Sequence, residues 1–311
     1  MTRARFGSGT VAVTFRSGRA VELAPEDFWD LYSPRGCKID PPGELDPDNV
    51  VTLRKDDIEV RVVASPQLQF WYAWQLGFWE RETFNVIDKF VTKGHTFIDV
   101  GAWIGPTVLY GVHRAARAFA FEPDPVAFPE LEANAKANGI EALELINTAV
   151  SATAGPVRLG NKRGRGGDSR SSTLVADGKR SWEVETTQLD EFARERCIDG
   201  DIFLKVDIEG GEYDLIPALR SWLAGRSVDL YLSMHPQLLD ASIRKQRPGD
   251  GFFNRVARRV AFYWRNYQLL AGLPFKNLYN ADGRRVTVRS LMRNAVPRGG
   301  FAIVATDRPW S

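Results

Sequence analysis

The sequence predicts an α/β fold: a mostly parallel sheet with helices on both faces, preceded by a small β-rich extension. Three observations predict it. From Thr96 onward, short apolar strand-like runs alternate with helical segments, the signature of strand–crossover–strand units. Before Leu68 the pattern is instead that of short strands. The corners between strands and helices also carry Gly, Pro and carboxylates, at the strand ends where open α/β sheets bind ligands.

The extension covers residues 1–67, with strands expected at Thr10–Phe15, Ala20–Leu23, Val50–Arg54 and Ile58–Val63. The Pro/Gly-rich stretch SPRGCKIDPPGELDPD between them reads as loop. Residues 68–311 form the main domain. It opens with Trp71, Trp74, Phe78, Trp79, Phe84, Ile87 and Phe90 at three- and four-residue steps, the apolar face of a helix or helix pair. Strands follow at Thr96–Val100, Ala118–Phe121, Leu143–Ile146, Ile202–Val206 and Leu230–Met234, and GFAIVAT (300–306) is the last. Helices are expected at Pro106–Arg117, Pro125–Asn138 and Tyr213–Leu223. The interval Pro156–Val184 reads as a hairpin with a polar tip, NKRGRGGDSRSST.

With 311 residues and 44% apolar content, the chain can bury a sizeable core. A net charge of +2 is too small to argue for nucleic acid as a partner. Cys37 and Cys197 make neither a disulfide framework nor a zinc site, and a reducing cytoplasm suits them. The start shows no secretory pattern and no run is long enough to span a membrane, so a cytoplasmic protein is expected.

Four corners address the cofactor. In Asp99-Val-Gly101-Ala102-Trp103-Ile-Gly105, a dinucleotide turn would want Gly at position 103, where the backbone closes on a pyrophosphate. Trp103 obstructs that approach. Asp99 would repel a pyrophosphate but suits a cationic sulfonium amino acid, so S-adenosylmethionine (SAM) is the expected ligand. Glu122 in F-E-P-D-P lies 21 residues beyond Gly101, where an acid can accept hydrogen bonds from both ribose hydroxyls, and Pro123 stops its strand. The small residues of Asn147-Thr-Ala149-Val-Ser would let an adenine ring lie against backbone. The fourth corner, Lys205-Val-Asp207-Ile-Glu209-Gly-Gly-Glu212, sets three carboxylates around a Gly-Gly bend. Singly, each corner has a plain reading as a turn residue or a helix-capping acid. Four in order on successive strands point to a cofactor.

Together D-V-G-A-W-I-G, F-E-P-D-P, T-Q-L-D-E-F (187–192) and K-V-D-I-E-G-G-E resemble the FkbM family of SAM-dependent methyltransferases. The segment Gly77–Thr83, with Glu80, and the strand end Met234-His235-Pro236 share the resemblance, which runs over roughly Gly77 to Pro236. It implies a class I, Rossmann-like methyltransferase sheet whose last strand, 300–306, is antiparallel. It also implies O-methylation of a hydroxyl on a sugar or polyketide-type metabolite. Asp99, Gly101 and Gly105 would line the methionine end and Glu122 would hold the ribose; Glu80, Ala102, Trp103, Pro123, Ala149 and Asp207 complete the expected cofactor set. Trp103 and Pro106 depart from the small or polar residues more usual in the family. N- or C-methylation, an NAD(P)-dependent oxidoreductase and a SAM-binding subunit without catalysis are the alternatives; Trp103 argues against the oxidoreductase and the intact motif set against the last.

Methyl transfer needs an acceptor placed in line with the leaving sulfur and a group to take its proton. His235, one of three histidines, is the expected base, with Glu209 beside it; a structural histidine is the plain alternative. No metal is assigned, but Asp207, Glu209 and Glu212 could hold a divalent cation that acidifies the hydroxyl. The loop Lys162–Arg170 could close over the acceptor or grip a phosphate, with Arg165, Arg170, Ser171 and Ser172 as substrate contacts; a solvated tip is the alternative. Between Arg244 and Arg265, seven cations accompany Phe252, Phe253, Val256, Val260 and Trp264. That pattern suits a peripheral membrane helix, but a crossover helix packing its apolar stripe on the sheet is preferred.

Overall fold

The computed structural model describes residues 11–14, 20–23, 45–161, 180–296 and 299–310. Its N-terminal elements are β1 (Val11–Thr14) and β2 (Ala20–Leu23), paired antiparallel, and the hairpin β3 (Asp46–Lys55) and β4 (Ile58–Ala64). Helices α1 (Leu68–Gln75) and α2 (Arg81–Phe90) follow, then β5 (His95–Val100), α3 (Val108–Gly111), β6 (Arg117–Phe121), α4 (Ala127–Asn138) and β7 (Leu143–Ile146). Next come β8 (Ala149–Val150), β9 (Val157–Asn161), β10 (Arg180–Val184), β11 (Thr186–Thr187) and α5 (Leu189–Glu195). The last third holds β12 (Asp201–Val206), α6 (Glu212–Ala218), α7 (Arg220–Ala224), β13 (Ser227–Met234) and α8 (Pro236–Gln246). It closes with α9 (Phe252–Ala271), β14 (Asn277–Asn280), α10 (Val288–Asn294) and β15 (Phe301–Thr306).

Seven strands make one sheet in the order β14-β15-β13-β12-β5-β6-β7. The five from β13 to β7 run parallel, and β15 is antiparallel to both neighbours. The expected mostly parallel, Rossmann-like sheet with an antiparallel last strand is what forms; the edge strand β14 is an addition to it.

Strand alternation divides the core into two layers. Phe97, Phe203, Tyr231 and Val304 face one cluster, with the aromatic helices α1 and α2; Ile98, Leu204, Leu232 and Ile303 face the other, with α5 to α9. Trp71, Trp74 and Phe84 are fully buried in the first layer, as their helical spacing implies, and Tyr110 of α3 joins them.

The boundary expected at residue 67 does not divide the core. Val51, Leu53, Val60 and Val62 of the β3–β4 hairpin belong to the same apolar cluster as Phe97 and Leu109. The free edge of β4 is satisfied by side chains of α4. Asn138 accepts from the Arg61 amide (2.8 Å) and donates to the Arg61 carbonyl (2.6 Å), mimicking a partner strand. Asn134 accepts from the Val63 amide (2.8 Å) and donates to the Ile104 carbonyl (3.0 Å), tying the hairpin to the first Gly corner.

Two helices differ from expectation. Pro106–Arg117 holds only the four-residue α3, and Gly111, a poor helix former, is its last residue. Tyr213–Leu223 divides into α6 and α7 because Pro217 has no amide hydrogen to continue the ladder. Pro156–Val184 is the hairpin β9–β10, as expected. Its tip, with Arg165, Arg170, Ser171 and Ser172, lies outside the described residues, as do Cys37 and most of the Pro/Gly-rich stretch.

Candidate active site

The motif corners gather where β5, β6, β12 and β13 end, around a cavity of about 770 Å³. Parallel pairing explains how corners far apart in sequence meet: Asp99 lies beside Lys205 and Val100 beside Val206, and the Asp207 amide donates to the Val100 carbonyl (2.9 Å). At Gly101 (φ +86°) a β-carbon would stand 2.0 Å from the Asp207 carbonyl oxygen, so no side chain fits. This is the close approach for which the glycine is needed.

Of the expected cofactor set, Glu80, Gly101, Ala102, Trp103, Glu122 and Pro123 line the cavity, as do Ala149 and Asp207. Asp99 and Gly105 do not. Asp99 is fully buried behind the wall, paired with Lys205 Nζ (2.9 Å) and accepting a hydrogen bond from Thr107, so its charge is already answered by the protein. Burial works against a charge on Lys205, but Asp99, Asp207 and Glu80 around it hold its pKa above the ordinary lysine value. Gly105 instead meets the packing of α4: a β-carbon there would reach Leu131 Cδ1 at 2.9 Å.

Glu122 is buried, and burial raises its pKa to about 7. Oε2 accepts from the Trp103 amide (2.7 Å) and Oε1 from the Asp124 amide (2.8 Å), so the carboxylate both shapes the first turn and keeps a further lone pair on each oxygen. Asn147 donates to the Glu122 carbonyl (2.8 Å), a turn role, while Thr148 to Thr153 line the cavity beside it. Glu80 is also raised to about 7, by burial first and then by Asp207. Thr83 holds it, donating to Glu80 Oε2 (3.1 Å) while bonded to Tyr231 Oη (2.7 Å).

At the other side of β5, His235 sits among three carboxylates. Its Nδ1 lies 3.3 Å from Glu212 Oε1, and Nε2 lies 3.5 Å from Asp207 Oδ1 and 3.7 Å from Glu209 Oε1. Burial opposes its charge, but Glu212, Asp207 and Glu209 outweigh burial and raise its pKa to about 9. These carboxylates favour the imidazolium form of the ring, which has no lone pair to take a proton. His235 does line the cavity, as a base would have to, with its ring engaged by these three carboxylates.

The three carboxylates weighed for a cation have other partners. Glu212 is fully buried and committed to protein donors: Oε2 accepts from the Gly210 amide (2.7 Å) and Oε1 from the His235 amide (2.7 Å). Asp207 and Glu209 turn toward the imidazolium. Among the described residues no group of three His, Cys, Asp or Glu side chains is arranged to hold a metal ion.

Glu80, Trp103 and Glu209 are cavity residues with positive φ (40°, 52° and 50°), a costly conformation for side-chain-bearing residues that concentrates at functional sites. The Trp103 ring is held by Phe70, edge to face at 4.4 Å. Sequence reasoning gave no role to several cavity residues, among them Lys205, Ser233, Asp214 and Phe301. Only Lys205 carries a signal, a lone cation inside the apolar strand IFLKV.

These residues fit SAM. A buried carboxylate with spare lone pairs suits a ribose diol, a glycine cradle lets the ligand approach backbone, and the acids Glu80, Asp207 and Glu209 suit a cation. Comparison with known proteins agrees on the class. Residues 99–243 match the family model described as "Methyltransferase FkbM domain". A comparison with curated proteins gives no match. Similar solved structures include Trm5b from Pyrococcus abyssi, 14% identical, covering 95% of this chain and 61% of that one (TM-score 0.36). They also include the methyltransferase FkbM from Methylobacillus flagellatus KT, 14% identical, covering 77% and 54% (TM-score 0.39). The chain thus spans about three-fifths and half the length of these two proteins. Over residues 99–243 the chain is thus similar to the methyltransferase domain of the FkbM family.

Proposed function

We propose that the enzyme is an O-methyltransferase whose acceptor is a hydroxyl on a sugar or on a glycosylated or polyketide-type metabolite. The observation that carries this reading is the division of the cavity. Glu122 and the Thr148–Thr153 segment belong to the β6 and β7 side of β5, and Asp207, Glu209, Ser233 and His235 to the β12 and β13 side. A nucleoside holder and a proton-handling cluster are thereby separated by the glycine cradle.

When bound, SAM supplies a methyl group on a positively charged sulfur. Glu122 would hold the ribose, accepting from its two neighbouring hydroxyls through lone pairs not used by the Trp103 and Asp124 amides. Glu80 and Asp207 give the cradle a potential that favours a cation. With its carboxylate neighbours favouring the imidazolium form of His235, Glu209 is the proton acceptor in this reading. Its carboxylate would take the proton of the acceptor hydroxyl, the methyl group and the sulfur leaving group being what the cofactor supplies. The His235 imidazolium holds Glu209 and Asp207 in place by charge.

Release of demethylated cofactor should be followed with sugars, phenols, amines and RNA as acceptors. Hydroxyl acceptors should turn over, and Glu209→Gln should lower turnover roughly 10²–10⁴-fold while SAM affinity stays nearly constant. Methyl groups recovered on nitrogen, carbon or RNA alone would remove the O-methylation reading, and full activity in Glu209→Gln would remove Glu209 as the base.

A further inference from the structure

Helix α9 packs on the molecule with an unexpected face. Its buried residues are Arg258, Phe262, Asn266, Leu269 and Leu270. The apolar stripe that sequence spacing assigned to the sheet is instead in solvent: Phe252 is 66% exposed, Phe253 85%, Val260 63% and Trp264 56%, with Val256 and Tyr267 also exposed. Steps of three and four residues set these side chains along one side of the helix, opposite the buried side. An exposed apolar row of this length on a folded domain marks a contact surface.

We propose that this face docks on an anionic membrane surface. Charge selects that occupant. The twenty residues of α9 include four arginines and no Asp or Glu. Arg258 and Arg265 are paired with Asp250 and Asp214, whereas Arg255 and Arg259 are exposed and in no ion pair among the described residues. The Arg259 guanidinium lies 5.9 Å from the centre of the Tyr263 ring, beside the apolar row. Phospholipid headgroups supply the anions for these two arginines, and Trp264 and Tyr267 have the amphipathic rings that settle at the headgroup level. A second copy of the chain offers the same helix no acid, so a two-fold contact through this face would bring arginines together unanswered. The contact is peripheral, since no helix among the described residues is long and apolar enough to cross a membrane.

The surface is coupled to the cavity. On the side away from the stripe, Arg265 bonds Asp214 (2.7 Å), a cavity residue, and Asn266 accepts from Tyr213 Oη (3.0 Å). Docking would thus set α6, the helix that begins with Glu212, one helix away from the bilayer. This inference does not depend on which atom the enzyme methylates.

Sedimentation of the full chain with vesicles tests it. The chain should pellet with vesicles of phosphatidylcholine and phosphatidylglycerol in equal parts and remain in solution with phosphatidylcholine alone. Replacing both Arg255 and Arg259 by Gln should weaken binding about thirtyfold, and added salt should weaken it further. Phe252→Ser with Phe253→Ser should weaken binding while leaving SAM affinity unchanged, which separates a lost contact from a lost fold. No binding to the anionic vesicles would overturn the proposal. So would a solution dimer that Phe253→Ser dissociates, which would assign the face to a second copy.

Discussion

Glu212→Gln is the perturbation that isolates the His235 cluster. The wild-type carboxylate accepts from two backbone amides and sits 3.3 Å from His235 Nδ1. Glutamine keeps one carbonyl oxygen, and its amide nitrogen must then face one of those N–H donors. Loss of one charge-assisted hydrogen bond costs about 1.5–3 kcal/mol. The imidazolium also loses its nearest anion, while Asp207 and Glu209 remain at 3.5 and 3.7 Å. Its pKa should therefore fall from about 9 most of the way to the ordinary 6.5. The sign follows from linkage. A histidine whose folded pKa lies above its unfolded value adds stability that is complete below pH 6.5 and is lost as pH rises through about 9. The full displacement is worth about 3 kcal/mol. Urea unfolding between pH 6 and 9.5 should show that decline in the wild type and little of it in Glu212→Gln. With three histidines in the chain, proton NMR can follow the ring directly once His235→Asn has identified its signal. A wild-type His235 that titrates near 6.5, or the same value in both proteins, would refute the reasoning and return the histidine to the role of base.

Glu122→Gln should weaken SAM binding by about 1.5–3 kcal/mol in calorimetry. Burial holds this acid near pKa 7 and a diol bonds its ionised form best, so wild-type affinity should rise from pH 6 to pH 8 and the variant should lose part of that rise; identical pH profiles would take Glu122 out of the ribose site. Lys205→Met leaves Asp99 buried without its cation and should cost about 3–5 kcal/mol in urea unfolding, part of which Lys205→Met with Asp99→Asn should recover. Equal destabilisation in the single and double variants would mean that the charge pair is not what the strand requires.

The sheet was legible because its strands are apolar runs bounded by glycine, proline and charge, and because every cofactor corner is a short contiguous motif. What sequence could not supply is what lies across space. Asp99 reads as a ligand for a cation until parallel pairing sets Lys205 beside it, 106 residues away. Nor does the sequence show that Glu212, 23 residues earlier, accepts from the His235 amide and lies beside its ring. The α9 stripe shows the limit of periodicity most plainly. Spacing found the apolar side, but the core took the side with Arg258 and Asn266, since each has partners there: Asp250 for the one, and the Tyr213 hydroxyl and Phe262 carbonyl for the other.

The asparagine stitches of α4 also bear on how the chain is made. The β3–β4 hairpin leaves the ribosome long before the residues that close its edge, because Arg61 and Val63 wait for partners 77 and 71 positions later. At synthesis rates of about 5–20 residues per second, that interval lasts about 4–15 seconds. Through it β4 has an open edge, the condition that invites pairing with another nascent chain. Fragments that stop before Asn134 should therefore aggregate, whereas those extending past Asn138 should leave β4 closed.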